Sequence, residues 1–349
     1  MKHLLKSIFV SAILLLLTLN SSAQKKDYSI AGIGFYNLEN LFDIHIDPDT
    51  NKILQDDFTP NGSKQWNAEK YQDKLGKMAR VISELGTDVI PYGLAILGVS
   101  EIENKSVLDD LVKEEKIKDR NYQIVHYESP DKRGIDVGLL YNPKHFTVIS
   151  SKSFTVPDTT FKTRDQLLVS GKLDGELVHV IVTHWPSRRG GEKRSAPRRA
   201  AAADLGRSII DSLQKNDPNA KILYMGDLND DPTDASVKKH LKTTSKKENA
   251  KKEMLYNPWE SYYKKGIGTL AYRDAWNLFD QIIVSAPLAE SDYSSFRFYK
   301  AIIHNKPYMK QKDGKYKGYP KRSYSGGTYV GGFSDHFPVY VFLIKEVSK

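Results

Sequence analysis

The feature that most constrains this chain is a series of short apolar runs, each of which runs into, or starts from, a polar residue capable of chemistry. Runs at 30–36, 94–99, 137–141, 178–183, 222–225, 281–285 and 339–344 are rich in Val, Ile and Leu, the length and composition of β-strands. Amphipathic helices fall between some of them. Residues 71–85 carry Leu75, Met78, Ala79 and Ile82 at helical spacing, and residues 197–213 carry Ala201, Leu205, Ile209 and Leu213. Many neighbouring strands lack an intervening helix, so the pattern predicts α+β layers rather than a regular βαβ barrel. Segments 45–67 and 294–332 read as polar loops, the second interleaving lysines with tyrosines. Segment 242–252 reads as a solvated surface loop.

Composition removes several alternatives. With 349 residues, 40% hydrophobic and 27% charged, the chain is neither collagen-like, disordered nor a coiled coil. It has no cysteine, which excludes disulfides, a thiolate nucleophile, a zinc ribbon and an iron–sulfur cluster. No GxSxG elbow and no Walker A sequence occur, so acyl transfer and ATP-driven chemistry lack support. Residues 1–23 have the form of a cleaved signal peptide: basic Lys2, His3 and Lys6, an apolar run from Ile8 to Leu19, then Ser21-Ser22-Ala23. That run is shorter than the roughly 20 residues needed to span a bilayer. A mature chain of residues 24–349 is therefore expected to be exported, periplasmic or extracellular. The whole chain has a net charge of +9, which favours polyanionic partners. Length alone allows two domains.

The chemistry sits where the apolar runs end. Asn37 follows the first, Glu101 the second, His184 the fourth, and Asp227 with Asn229 the fifth. Asp280 stands at the head of another run, and Ser334-Asp335-His336 precedes the last. Strand ends expose such groups on loops while fixing the backbone beneath them. Carboxylate and carbonyl oxygens suit a hard cation such as Mg²⁺, with Mn²⁺ as the alternative. Two histidines in acidic surroundings suit acid–base work or charge stabilisation on a phosphate.

The ordered set Asn37, Glu101, His184, Asp227-x-Asn229, Asp280 and Ser334-Asp335-His336 resembles the endonuclease/exonuclease/phosphatase superfamily, over residues 30 to 344. The resemblance implies a four-layer α/β sandwich, two packed mixed β-sheets flanked by helices, as a single catalytic domain over 24–349. It also implies roles. Glu101 becomes the main Mg²⁺ ligand, with Asn37 and Asp335 near the metal. Asp227 orients or deprotonates the attacking water, and Asn229 helps to hold the nucleophile and the phosphate. His336 contacts the scissile phosphate and is paired with Asp280, while His184 stabilises or protonates the leaving oxygen. Whether Asp227 or the Asp280–His336 pair is the base stays open. Glu103, two residues beyond Glu101, is an alternative ligand. Arg164 aligns with a phosphate-binding arginine, and Arg189 joins it as a substrate contact, whereas Arg133, Arg188, Arg198 and Arg199 read as surface or helix-terminal charges. The expected activity is that of a secreted, monomeric, Mg²⁺-dependent endonuclease on DNA or RNA. The alternative is a phosphatase or phosphodiesterase acting on lipid head groups or small phosphoesters. A binding module with a degenerate site is disfavoured because every catalytic position is filled.

Overall fold

The computed structural model describes residues 26–158 and 160–347; the signal peptide expected at 1–23 lies outside them. Two mixed sheets pack face to face. The first runs, from edge to edge, Arg297–Ile303, Val339–Glu346, Tyr28–Leu41, Ile96–Ile102, Asp136–Tyr141 and Gln123–His126. The second runs Phe146–Phe154, Gln166–Leu173, Glu176–His184, Ile222–Asp227, Asp280–Val284, Leu255–Tyr256 and Thr243–Thr244. Each sheet has one internal parallel pair between strands that contribute site residues, Tyr28–Leu41 with Ile96–Ile102 and Glu176–His184 with Ile222–Asp227.

Strand alternation divides the apolar residues between separate cores. Ile33, Phe35, Ile96, Val182, Met225, Ile282 and Val341 face inward and fuse the sheets into one core. Tyr36, Leu97 and Val99 point the other way, against Leu75, Met78 and Ile82 of the helix Ala68–Glu84. On the far side Ile181, Ile222, Tyr224 and Ile283 pack on Ala202, Ile209 and Ile210 of the helix Glu192–Asn216. Helix, sheet, sheet and helix therefore stack as the expected four layers.

Both helices differ at their ends from the sequence expectation for a physical reason. Ala68–Glu84 starts at a cap, Asn67, whose side chain accepts from the Lys70 N–H at 3.0 Å. Glu192–Asn216 begins five residues before Pro197. That proline cannot donate to the carbonyl four residues back, but it falls near the start of the helix, where Ser195 Oγ donates to the Gly191 carbonyl and Arg199 to that of Glu192.

The loop expected at 294–332 contains the edge strand Arg297–Ile303, whose alternation is masked by a register shift between Phe298 and Lys300. The loop expected at 242–252 begins with Thr243–Thr244, a buried pair that closes the far edge of the second sheet. Phe146–Phe154 and Gln166–Leu173 are not evident as strands in the sequence because Ser, Thr and Lys interrupt them and, in the first, a register shift at the exposed Ile149 breaks the alternation.

Candidate active site

The registers of the two sheets assemble the site. Asp227 lies beside His184 across the parallel pair and beside Asp280 across the antiparallel one. Three sequence-distant residues thus occupy neighbouring rungs of one sheet end. In the facing sheet Asn37 is the rung partner of Ser100, and beyond this pair both strands bulge. The bulges place Glu39, Asn40 and Glu101 at φ 50°, 54° and 58°, and Asn229 lies at 49°. Left-handed backbone at non-glycine residues is uncommon and costs of order 1–3 kcal/mol where it is strained. Here it turns Glu101 out of the pleat and toward His184.

The reacting groups form a continuous line. His336 Nδ1 is 2.7 Å from Asp280 Oδ2, and its Nε2 is 3.8 Å from Asp227 Oδ2. The same Asp227 oxygen is 3.1 Å from Asn37 Nδ2, which donates to it, and 3.5 Å from His184 Nε2. His184 Nε2 in turn faces Glu101 Oε1 at 4.0 Å. Asn229 donates its side-chain N–H to the Trp185 carbonyl at 2.9 Å, and its backbone N–H to Asp227 Oδ1. The loop bearing His336 is tied to the first strand by Ser334, whose hydroxyl donates to the Asn37 carbonyl and accepts from the His336 N–H.

Electrostatics sorts the two histidines. Burial alone would lower His336, but Asp280 and Asp227 outweigh it and hold its pKa well above the ordinary histidine value. His184 goes the other way: burial, with Arg164 and Arg133 adding repulsion, holds it well below. Carboxylates favour the charged form of one ring, and burial with nearby guanidinium groups favours the neutral form of the other. Burial raises Asp227 despite the pull of His336, while Asp335 is held low because His336 and Arg322 override its burial.

Asp227, Asp280 and His336 are close enough to share one ion; His336 is hydrogen-bonded to Asp280 at 2.7 Å and faces Asp227 at 3.8 Å. The expected ligands Asn37, Glu101 and Asp335 do not form such a tight trio. Asp335 is drawn to Arg322 at 2.7 Å, and Glu101 accepts from the Asn40 N–H at 3.0 Å. All three nonetheless offer the oxygen donors a hard divalent cation requires. His184 Nδ1, Asp280 Oδ1 and Ser100 Oγ are buried without a hydrogen-bond partner among the described residues, a pattern that calls for an explanation such as an unfilled ligand or ion site. Glu103 belongs elsewhere: burial and the nearby Asp43 push its carboxyl up to about 8, and it accepts from the Asp43 N–H.

The arginines differ most from the sequence expectation. Arg164, expected to contact substrate, is 4% exposed and ion-paired to Asp131 at 3.0 Å, with its other terminal nitrogen on the Trp185 carbonyl. It braces the segment after His184. Arg189 is exposed, as a substrate contact requires. Arg188 and Arg199 are not surface charges. Arg199 is buried and paired to Asp230 at 2.6 Å, and Arg188 reaches the Asn229 carbonyl and Asp234. Together they pin the loop that follows Asp227. Trp185 is a fully buried packing residue, donating to Tyr224 Oη at 2.8 Å.

Three further residues near the site are not evident from the sequence. Lys74 is buried in the helix Ala68–Glu84 and donates to Ser323 Oγ at 2.8 Å, Glu39 accepts from the Ser323 N–H, and Arg322 holds Asp335. They line a polar cavity of about 280 Å³ beside Asp335, backed by Phe58, Trp66 and Tyr324. A lysine on an otherwise apolar helix face is the one sequence signal for it.

Comparison with known proteins agrees with this fold. The family model described as "Endonuclease/Exonuclease/phosphatase family" matches residues 32–345. No curated protein matches the chain. Among solved structures, zebrafish (D. rerio) TDP2 complexed with a single-strand DNA product is 14% identical, covering 90% of this chain and 99% of that one, with a TM-score of 0.53. A mannosyl-6-phosphatase from Bacteroides thetaiotaomicron is 18% identical, covering 90% and 99%, with a TM-score of 0.53. An endonuclease/exonuclease/phosphatase family protein from the same organism is 15% identical, covering 92% and 100%, with a TM-score of 0.55. At these identities the structures speak for the fold, and the family model, spanning nearly all of the described chain, supplies the rest: the chain belongs to the endonuclease/exonuclease/phosphatase family and is a metal-dependent phosphoric ester hydrolase.

Proposed function

We propose that the protein is an exported, monomeric phosphodiesterase that cleaves nucleic acid internally by in-line attack of water on phosphorus, with Mg²⁺ as its ion. The observation that carries the hydrolytic part is the line Asp280–His336–Asp227–His184, two histidines flanking one buried carboxylate. Glu101, Asn37 and Asp335 would hold the ion, which when bound neutralises charge on the phosphate and polarises it. Asp280 keeps the proton on His336 Nδ1, leaving Nε2–H to donate to a phosphoryl oxygen. Asp227, held between Asn37 and the Asn229 N–H, orients the attacking water and takes its proton. His184, neutral, donates one hydrogen bond from Nε2 toward the leaving oxygen. Support for a nucleic-acid substrate comes from the net charge of +7 on residues 24–349 (+9 for the whole chain, less Lys2 and Lys6) and from the similarity to TDP2.

A second reading, hydrolysis of a small phosphoester, is favoured by the walled cavity beside Asp335 and by the similarity to a mannosyl-6-phosphatase. Purified residues 24–349 with Mg²⁺, and then with EDTA, should nick supercoiled plasmid only with the metal present. An intact plasmid beside turnover of bis-p-nitrophenyl phosphate or p-nitrophenyl phosphate would overturn the nuclease reading in favour of the second.

A further inference from the structure

On the His184 side of the reacting centre, three chain segments meet in a groove of about 370 Å³. Lys132 and Arg133 come from the turn ahead of the strand Asp136–Tyr141. Lys162 comes from the segment ahead of Gln166–Leu173, and Arg189 and Arg198 come from the start of the helix Glu192–Asn216 and the loop before it. The lining has one carboxylate, Asp131, and that is already shared by Arg164 at 3.0 Å and Arg133 at 3.4 Å. Lys132, Lys162, Arg189 and Arg198 make no salt bridge within 4.0 Å among the described residues, although Asp49 lies near enough to Lys162, and Asp158 to Arg198, to feel the charge. Arg198 is nevertheless fixed in place, lying over the Phe161 ring at 5.2 Å. At the floor, two buried polar atoms lack partners, Arg164 Nε and Thr163 Oγ1, on residues 4% and 5% exposed.

The groove is joined to the centre by one atom. The Trp185 carbonyl, next to His184, accepts from Arg164 at 2.5 Å and from Asn229 at 2.9 Å. Cations that outnumber the carboxylates near them repel one another, and a bound polyanion relieves that repulsion. Guanidinium forks and ammonium groups together match phosphate oxygens.

We propose that this groove binds a second phosphate of a phosphodiester strand whose scissile phosphate lies at the His184–Asp227–His336 centre. This deepens the hydrolytic reading and rests on it. A small monoester has no second charge to place here, so the groove distinguishes a strand from a sugar phosphate.

The test uses Lys162→Ala/Arg198→Ala, two exposed positions, with a thermal midpoint measured to verify folding. Fluorescein-labelled dT8 is titrated in EDTA across a salt series, and steady-state kinetics are measured with Mg²⁺ on the same oligonucleotide and on bis-p-nitrophenyl phosphate, which has one phosphate. The double variant should bind dT8 about tenfold more weakly, and the slope of log K on log salt should become shallower by about 0.7 for each phosphate that the protein no longer neutralises. Its KM for the oligonucleotide should rise with kcat nearly unchanged, and bis-p-nitrophenyl phosphate turnover should change less than about twofold, since that substrate does not reach the groove. Unchanged dT8 affinity and slope would overturn the proposal, as would equal losses on both substrates. Should the protein hydrolyse neither substrate, the hydrolytic reading fails, and the EDTA titration still decides the groove: salt-sensitive binding weakened in the variant supports it, and no dT8 binding overturns it.

Discussion

At Glu101 the main chain enters the left-handed region, at φ 58°, and the side chain leaves the pleat for the space between His184 and Asn40. Asp227 is held from three sides, by Asn37, by the Asn229 N–H and by the two histidines. Glu101→Ala, Asp227→Ala and His336→Ala should each lower kcat/KM by about a hundredfold or more, with circular dichroism unchanged; mild losses from all three would mean the centre is elsewhere. His336 also gives a pH signature. Its raised folded pKa contributes stability that is fully present below the ordinary histidine value of about 6.5 and is lost as pH rises through the folded value. In EDTA, the stability gap between the native protein and Asp280→Asn should therefore be widest near pH ~6 and narrow toward alkaline pH. Urea unfolding at several pH values measures this, and a gap that widens with pH would contradict the pairing. The site's residue types are legible in the sequence because each catalytic side chain closes or opens an apolar run. Glu39 and Arg322 are not, because nothing local marks them, and Lys74 shows only as a lysine on an otherwise apolar helix face.

The strands act at the next scale by fixing rungs. Gly226 precedes Asp227, and a Cβ added there would lie 1.9 Å from the Thr183 carbonyl of the neighbouring strand. Backbone against backbone cannot yield, so the two strands approach this closely only through glycine. Gly226→Ala should cost about 3 kcal/mol and reduce activity at permissive temperature, since His184 and Asp227 sit one rung further on. Chemical denaturation with a parallel activity assay measures both; a stable, fully active variant would show that the rung spacing is not what sets the site. Strands show in the sequence where all alternate residues are apolar, as in Ile222–Asp227. They are hidden at Arg297–Ile303 and at Phe146–Phe154, where a register shift breaks the period.

Over the whole molecule, two sheets from distant parts of the chain bring Asn37, Glu101 and Asp335 to one end facing Asp227 and His184. An ion held by residues from both sheets binds the folded state alone, so it should stabilise by mass action, by about 2.7 kcal/mol at a hundredfold excess over its dissociation constant. The thermal midpoint should rise with Mg²⁺, fall back with EDTA, and lose its response in Glu101→Ala. A midpoint indifferent to the metal would separate these oxygens from any ion.

The sequence by itself determined the α+β layer class, most of the central strands and the residue types that gather at the candidate site, because hydrophobic period and strand-end chemistry are local properties. Only the tertiary structure decided the rest. Which histidine carries the proton depends on burial and on the carboxylates that other strands bring near it. Arg164 braces a carbonyl because packing covered it, and a groove of cations formed because three distant segments meet there. Pairwise electrostatics and burial depend on distance in space, which no spacing along the chain encodes.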